Sequence, residues 1–275
     1  MPRVMYQHAI ITGASSGFGM AFARRLAGAC AHLVLVARRG AVLEDLRREL
    51  LAAHPGLEVS VHVCDLADGG QRAALVESLQ ELSVGSLLLV NNAGLGDYGE
   101  YAESAPERNH QMLQVNVVAV AELARALVPR MVAQGGGMIN IASLAADLFI
   151  PDFAVYAASK AFVASFSEAL RLELRSAGVP VVAVCPGPVH TGFGDVARRK
   201  GRTNGYSPFK KWFYTPVSTV VEGALRALQR HCPRYYPSLR IRAAAFIVRN
   251  VPLLVLRWIM GRRPRRVSAI QEVEQ

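Results

Sequence analysis

Cysteine is scarce: four residues in 275 (Cys30, Cys64, Cys185 and Cys232), with no CxxC pair and no Cys/His cluster at metal-ligand spacing. A disulfide framework and a structural zinc site are thereby excluded at the level of sequence, and no metal is expected. Cys64 and Cys185 lie in apolar, strand-like runs, so buried free thiols and a reducing, cytoplasmic compartment are expected. The first residues carry no charged-then-apolar leader, so no signal peptide is expected. No Pro/Gly/Ser-rich linker and no internal repeat divides the chain, which speaks against a string of modules. Acidic residues are in deficit, 21 against 31 Lys and Arg, leaving a net charge of +10. Long uninterrupted apolar runs are missing too. The stretch Ile241–Met260 is broken by Arg242, Arg249, Asn250, Pro252 and Arg257, whereas a bilayer span needs about 20 apolar residues with few charges.

At 52% hydrophobic residues the chain can bury a full core. Short apolar runs near His8–Thr12, His32–Ala37, Val59–Cys64, Ser86–Asn91, Gly137–Ser143, Val181–Cys185 and Arg234–Tyr236 read as strands. Helical patterns lie between them, near Gly17–Ala29, Gly40–Ala53, Gly69–Leu82, Pro106–Gln134, Phe153–Ala177 and Pro216–Arg230, the last with Thr215 as N-cap before a proline. Strands alternating with helices predict a doubly wound α/β fold: a mostly parallel, seven-stranded Rossmann-type sheet covered on both faces. Residues 1–237 are expected to form that unit, and 238–275 a basic, apolar helical extension.

Two motifs fall where such a fold binds ligands. After the first strand, Thr12-Gly13-Ala14-Ser15-Ser16-Gly17-Phe18-Gly19 runs into a helix, the strand–turn–helix context of a dinucleotide site. Gly13 permits a tight turn, Gly17 lets backbone approach a pyrophosphate, Gly19 lets helix pack on sheet, and the helix N-terminus offers N–H groups to phosphate. Further on, Tyr156 and Lys160 stand four apart on one helical face, with Ser143 upstream. A free tyrosine titrates near ~10, and an ammonium beneath it favours the phenolate. Tyr156 is therefore expected to exchange protons near neutral pH, with the Ser143 hydroxyl polarising the same substrate oxygen.

Taken in order, Thr12-Gly13-x-x-x-Gly17-x-Gly19, Asp65-Leu66, Asn91-Asn92-Ala93-Gly94, Asn116, Ser143, Tyr156-x-x-x-Lys160 and Pro186-Gly187 closely resemble the short-chain dehydrogenases/reductases over roughly residues 6–237. The resemblance implies an NAD(P)-dependent oxidoreductase interconverting a ketone and a secondary alcohol, with Asn116, Ser143, Tyr156 and Lys160 as its catalytic set. It further implies that Asp65 meets the adenine and that Asn92, Ala93 and Gly94 lie near the ribose and nicotinamide. Pro186, Gly187, Val189 and Thr191 would hold the carboxamide, and a water held around Asn116 would link Lys160 to solvent. For Asp65 an Asx-type turn or helix cap, and for Asn116 a bond to neighbouring backbone, stand as the alternatives. His190 is expected to face solvent.

The second strand ends in Ala37-Arg38-Arg39-Gly40 with no acid. A cation there suits a 2′-phosphate, so NADP(H) is favoured over NAD(H), with Arg38, Arg39 and Ser15 as contacts; the alternative, above all for Arg39, is that the arginines merely solvate the loop. The segment 192–214 mixes aromatics with cations, and Leu144, Ala145, Ala146, Leu148, Phe149 and Phe153 follow Ser143. A lid and an apolar wall are expected, and with them a small hydrophobic ketone or alcohol rather than a sugar. A homodimer or homotetramer is expected, and nucleic acid is not. Residues 238–275 hold eight arginines and two glutamates; a helix packed over the substrate region or a subunit, or one lying on a membrane surface, are both open. A non-catalytic dinucleotide sensor on the same fold is the alternative function, against which the intact Asn116, Ser143, Tyr156 and Lys160 speak.

Overall fold

In a computed structural model, which describes residues 6–189, 193–197 and 214–261, seven parallel strands form one sheet in the order β3-β2-β1-β4-β5-β6-β7. The strands are β1 (Tyr6–Thr12), β2 (Cys30–Ala37), β3 (Glu58–Val63), β4 (Leu87–Asn91), β5 (Gly136–Ile141), β6 (Val181–Val184) and β7 (Arg234–Tyr235). Central strands covered on both faces are apolar almost throughout. Side chains alternate between two cores because successive Cβ atoms point to opposite faces. Ala9 and Ile11 join Leu33, Leu35, Leu88 and Val90 on one side, while Ile10 joins Val34, Leu87 and Leu89 on the other.

Helices α1 (Gly17–Leu26), α2 (Gly40–Ala53) and α8 (Val217–Gln229) cover the first face through Phe22, Leu46 and Leu228. The second is covered by α3 (Gly69–Gln80), α5 (Ala119–Gln134) and α6 (Ala154–Glu173), through Leu79, Leu127 and Leu170. The order in which strands are added reverses at β1, which pairs with β2 on one edge (Ile10↔Val34) and β4 on the other (Ile10↔Leu89). Open α/β sheets bind ligands at the carboxyl ends beside such a switch point.

Three sequence expectations change. The helix read over Pro106–Gln134 is α4 (Pro106–Leu113), a π-helical turn at Gln114–Val118, and α5; the extra residue per turn falls around the buried Asn116. With a mean hydropathy of 1.4 this segment is long and apolar enough to cross a membrane, yet its Leu123, Leu127 and Met131 pack on the sheet. Thr215 is not the cap of α8. Pro216, at ψ 143°, holds that position without a side-chain bond, and Thr215 instead is buried and donates its N–H to Pro188 O at 3.2 Å. The C-terminal stretch is two helices, α9 (Leu239–Asn250) and α10 (Leu253–Gly261), parted at Val251–Pro252 where proline cannot continue a helix.

At the opposite end of the sheet from the switch point's ligand edge, His8 and His32 are buried as a register pair. His8 Nε2 lies 2.9 Å from Ser83 O, which can only accept, so His8 donates there and its Nδ1 is bare. His32 Nδ1–H then donates to His8 Nδ1 at 3.2 Å, and His32 Nε2 accepts from Ser60 Oγ at 2.8 Å. Every polar atom in the row is satisfied with both rings neutral, and burial, first among the causes, holds both pKa values below the usual histidine value. An unfolded chain takes up protons as pH falls past ~6.5 while the folded pair resists, so the pair's stability is fully present above that value and is lost below it. Urea midpoints should therefore fall as pH drops from about 7 to 5, and the slope should flatten in His32→Phe.

Candidate active site

Beside the switch point, the end of β1 is locked to the end of β4 before any ligand is considered. Thr12 Oγ1 donates to Val90 O at 3.3 Å and accepts from the N–H groups of Asn92 and Ala93, each at 3.0 Å. Asn92 Nδ2 returns a bond to Thr12 O at 2.8 Å. Thr12 is thus buried and turned away from the cleft, a brace rather than the contact expected of it. Gly19 is also a packing residue: a Cβ there would sit 2.2 Å from Gly13 O.

A cleft of 680 Å³ opens along these strand ends. Gly13, Ser15, Ser16, Gly17 and Phe18 line one end, with Arg38 and Arg39 from the end of β2, Asp65 and Leu66 from β3, and Asn92, Ala93 and Gly94 from β4. Gly13 takes φ +65°, and a Cβ on it would lie 2.9 Å from Ala93 Cα, so only glycine allows this close passage. The α1 N-cap, Ser16, makes no side-chain capping bond, and the first turn holds no acid. A helix N-terminus left so, above a glycine floor and beside two arginines, fits the phosphates of a dinucleotide.

Arg39 is turned onto the glycine turn. Its Nη2 donates to Ser15 O at 2.8 Å and to Ser15 Oγ at 3.0 Å, tying the glycine turn to the end of β2, while Arg38 is exposed at the cleft rim. Asp65 makes the Asx turn, Oδ1 accepting from Ala67 N at 3.0 Å; the cap of α3 is Asp68, which accepts from Gln71 N.

At the other end, Ser143, Tyr156 and Lys160 converge with Pro186, Gly187 and Val189. Thr191 and His190 lie outside the described residues, as does most of the segment expected to form a lid. Ser143 caps a 3-10 turn, Leu144–Asp147, accepting from Ala145 N at 3.1 Å. The Tyr156 ring is stacked on Phe153 at 4.2 Å and faces Phe193, from α7 (Phe193–Ala197), at 5.6 Å. Lys160 Nζ stands 5.9 Å from the Tyr156 ring centroid and donates to Ile141 O at 2.8 Å.

This geometry corrects the expected acidity of Tyr156. Burial between aromatic rings dominates and pushes the phenol up to about 12, against a downward pull from its hydrogen bond with Ser143. Lys160 is itself brought down to about 8, mainly by burial. At neutral pH Tyr156 is therefore a loaded proton donor, not a phenolate.

Asn116 does not line the cleft. Its Oδ1 accepts from Leu95 N at 2.8 Å, and its Nδ2 donates to Leu95 O and Ser159 Oγ, both at 2.9 Å. The side chain is spent on neighbouring backbone, pinning the loop after β4 to α6. It stands close to Lys160 all the same: a Cβ on Gly94 would meet Lys160 Nζ at 3.3 Å and Asn116 Oδ1 at 3.4 Å. Leu144, Ala145 and Phe153 form the expected apolar wall, but Phe149 is 60% exposed. Sequence reading missed Leu95, Tyr98 and Ile150 as further wall residues. They carry no motif, and only the chain path, with Tyr98 N donating to Ala197 O at 2.9 Å, brings them there.

Known proteins resemble the chain over most of its length. The family model described as short chain dehydrogenase matches residues 7–201. A sulfoacetaldehyde reductase of Chromohalobacter salexigens is 38% identical over 186 residues, covering 66% of this chain and 72% of its own. A short-chain dehydrogenase from Sphingobium yanoikuyae, solved with NADPH, superposes with a TM-score of 0.76 at 29% identity, over 98% of this chain and 99% of that one. A short chain dehydrogenase/reductase from Burkholderia phymatum, solved with NAD, gives 0.77 at 28% identity, over 98% and 100%.

Proposed function

The chain belongs to the short chain dehydrogenase family and is an oxidoreductase of the alcohol/carbonyl couple, and from that premise we propose that it reduces hydrophobic ketones with NADPH. The observation that carries this reading is the convergence of Ser143, Tyr156 and Lys160 under an apolar wall of Leu95, Tyr98, Ile150, Phe153 and Phe193. The nicotinamide of the dinucleotide supplies the hydride when bound. Ser143 and Tyr156 hold the carbonyl oxygen through their hydroxyls, where negative charge develops. Tyr156 then gives its proton to that oxygen; burial keeps the phenol protonated at neutral pH, the state a donor needs. Lys160, buried and brought down to about 8, reloads Tyr156, and a water held by the backbone around Asn116 would link Lys160 to solvent in this reading. The wall excludes water from the oxygen while it is charged.

The preference for NADPH rests on Arg38 at the cleft rim, on Arg39 braced against Ser15, and on the lack of an acid at the end of β2. Relatives hold either form, so the ribose end of this chain decides. Residues 1–237 act as the dinucleotide-binding unit in this reading, and the exposed Leu113, Phe162 and Leu172 on α4 and α6 support a homodimer or homotetramer.

The two C-terminal helices show two faces. Ile241 and Ala245 of α9 pack against Leu144, next to Ser143, and against Tyr236, so the extension forms part of the substrate end. On the opposite side of α9, Leu239 and Phe246 are 73% and 69% exposed, and Leu254 and Trp258 of α10 are 76% and 57% exposed. Arg242, Arg249 and Arg257 are exposed alongside, and residues 239–261 contain no acid. An apolar ridge flanked by cations and free of carboxylates complements an anionic lipid surface in the cytoplasm, and that is the partner we assign to it.

Tyr156→Phe should lower the rate with an apolar ketone to well under a tenth of wild type, while NADPH binding, read by fluorescence, stays within about twofold; a variant keeping a tenth or more refutes the donor role. Arg38→Asp should shift the ratio of kcat/KM for NADPH over NADH downward by about tenfold or more, the size of a charged hydrogen bond lost and a like charge gained. The full chain should co-sediment with anionic vesicles at low salt, release as salt screens the arginines, and bind zwitterionic vesicles weakly. Phe246→Glu should weaken that binding; a chain that ignores anionic vesicles, or self-associates through this ridge, overturns the lipid assignment.

A further inference from the structure

Behind the Ser143 turn lies a buried charged cluster with no part in the chemistry above. Arg234, on β7, donates from Nη1 to Asp147 Oδ1 at 2.8 Å and from Nε to Glu168 Oε1. The other oxygen of Asp147, Oδ2, accepts from the Tyr236 hydroxyl at 2.8 Å. Side-chain exposure is 15% for Arg234 and 7% for Asp147. Removing such groups from water costs about as much as their pairing returns, so a cluster of this kind is a weak source of stability and a better source of fixed position. Burial pulls the guanidinium's pKa down, but Tyr236, Glu168 and Asp147 together raise it above its ordinary value, so Arg234 remains charged.

What the fork joins gives it meaning. Asp147 closes the 3-10 turn that Ser143 caps. Glu168 stands on α6, the helix that carries Tyr156 and Lys160. A guanidinium is planar and rigid, with Nε and Nη1 on fixed bearings, so it sets the separation of two carboxylates more firmly than a lysine does. Those carboxylates belong to the two elements that carry Ser143 and Tyr156 into the cleft. Leu144, beside Ser143, is also held from behind by Ile241, Ala245 and Tyr236 and by its own N–H donating to Pro186 O at 2.9 Å. Without the fork, Asp147 would keep the Tyr236 hydroxyl, beside the apolar packing of Ala145, Ala146 and Leu148.

We propose that Arg234 is a positioning residue for the carbonyl site, its fork to Asp147 and Glu168 fixing the Ser143 turn against the Tyr156 helix. The proposal rests on the reading that Ser143 and Tyr156 act on the substrate oxygen, and two readouts keep the two apart. Arg234→Met and Arg234→Lys are compared with wild type and with Tyr156→Phe in kcat, ketone KM, NADPH affinity, thermal midpoint and the 13Cζ resonance of Tyr156, assigned by its loss in Tyr156→Phe. A displacement of reacting groups on the ångström scale costs up to about a hundredfold in rate. Arg234→Met should therefore lose about tenfold or more in kcat, with NADPH affinity within about twofold and a shifted Tyr156 resonance. Arg234→Lys, a point charge reaching one carboxylate, should fall between and stands in if Arg234→Met does not fold. A lowered thermal midpoint with kcat and the resonance both unchanged overturns the proposal. If Tyr156→Phe proves active, the site reading fails, and the resonance alone still decides whether Arg234 sets the turn.

Discussion

The hydroxyl of Thr12 is the constraint on which the ligand edge of this molecule depends. Parallel strands β1 and β4 adjoin without being consecutive in sequence, so no turn holds their ends in register. One side chain does it, accepting two N–H groups from the chain leaving β4 and donating back to Val90. Asn92 answers from the other strand by capturing the carbonyls of Thr12 and Gly13. The glycine floor can then pass within contact distance of Ala93, and the loop continuing from Gly94 is passed to Asn116 and so to α6. A second polar row, Asn91 to Asn140 to Ser167, repeats the device one strand further along. Buried amides that satisfy one another in this way specify register where apolar contacts alone tolerate slippage.

Most of the fold was legible in the sequence because buried parallel strands and amphipathic helices differ in length and punctuation. The runs at His8–Thr12 and Val181–Cys185 are short, apolar and bounded by turn residues, and each lies in the sheet. Motif glycines placed the dinucleotide end for a mechanical reason: Gly13 and Gly19 sit where a methyl group does not fit. Less legible were roles that depend on which way a side chain turns. Thr12 and Asn116 carry motif positions yet spend polar atoms on backbone, and Arg39, expected at the cofactor, also grips Ser15. The acidity of Tyr156 was misjudged for a related reason. Helical spacing shows that Lys160 is near, but not that Phe153 and Phe193 strip water from the ring, and desolvation outweighs an ammonium that is itself buried.

Tyr156 and Lys160 illustrate how burial divides acid–base work between neighbours. Each is driven toward its uncharged form, the phenol upward and the ammonium downward, which sets the two groups further apart in proton affinity than free side chains are. Transfer of a proton from the Lys160 ammonium to a Tyr156 phenolate is then downhill, where in water the same exchange is nearly level. The carbonyl oxygen of Ile141 holds the amine in place meanwhile, so the sheet backbone takes part in the arrangement.

The contact between α9 and the turn after Ser143 has a consequence for how this sequence can change. Leu144, Ile241 and Ala245 share one small cluster, closed on one side by the site and on the other by the outer helix. Packed volumes tolerate exchange only when their total is kept. A bulkier residue at 144 therefore calls for a smaller one at 241 or 245, positions 97 and 101 residues further along the chain. Substitutions at these places are coupled by volume, and a library that varies the pocket wall without varying α9 samples mostly misfits.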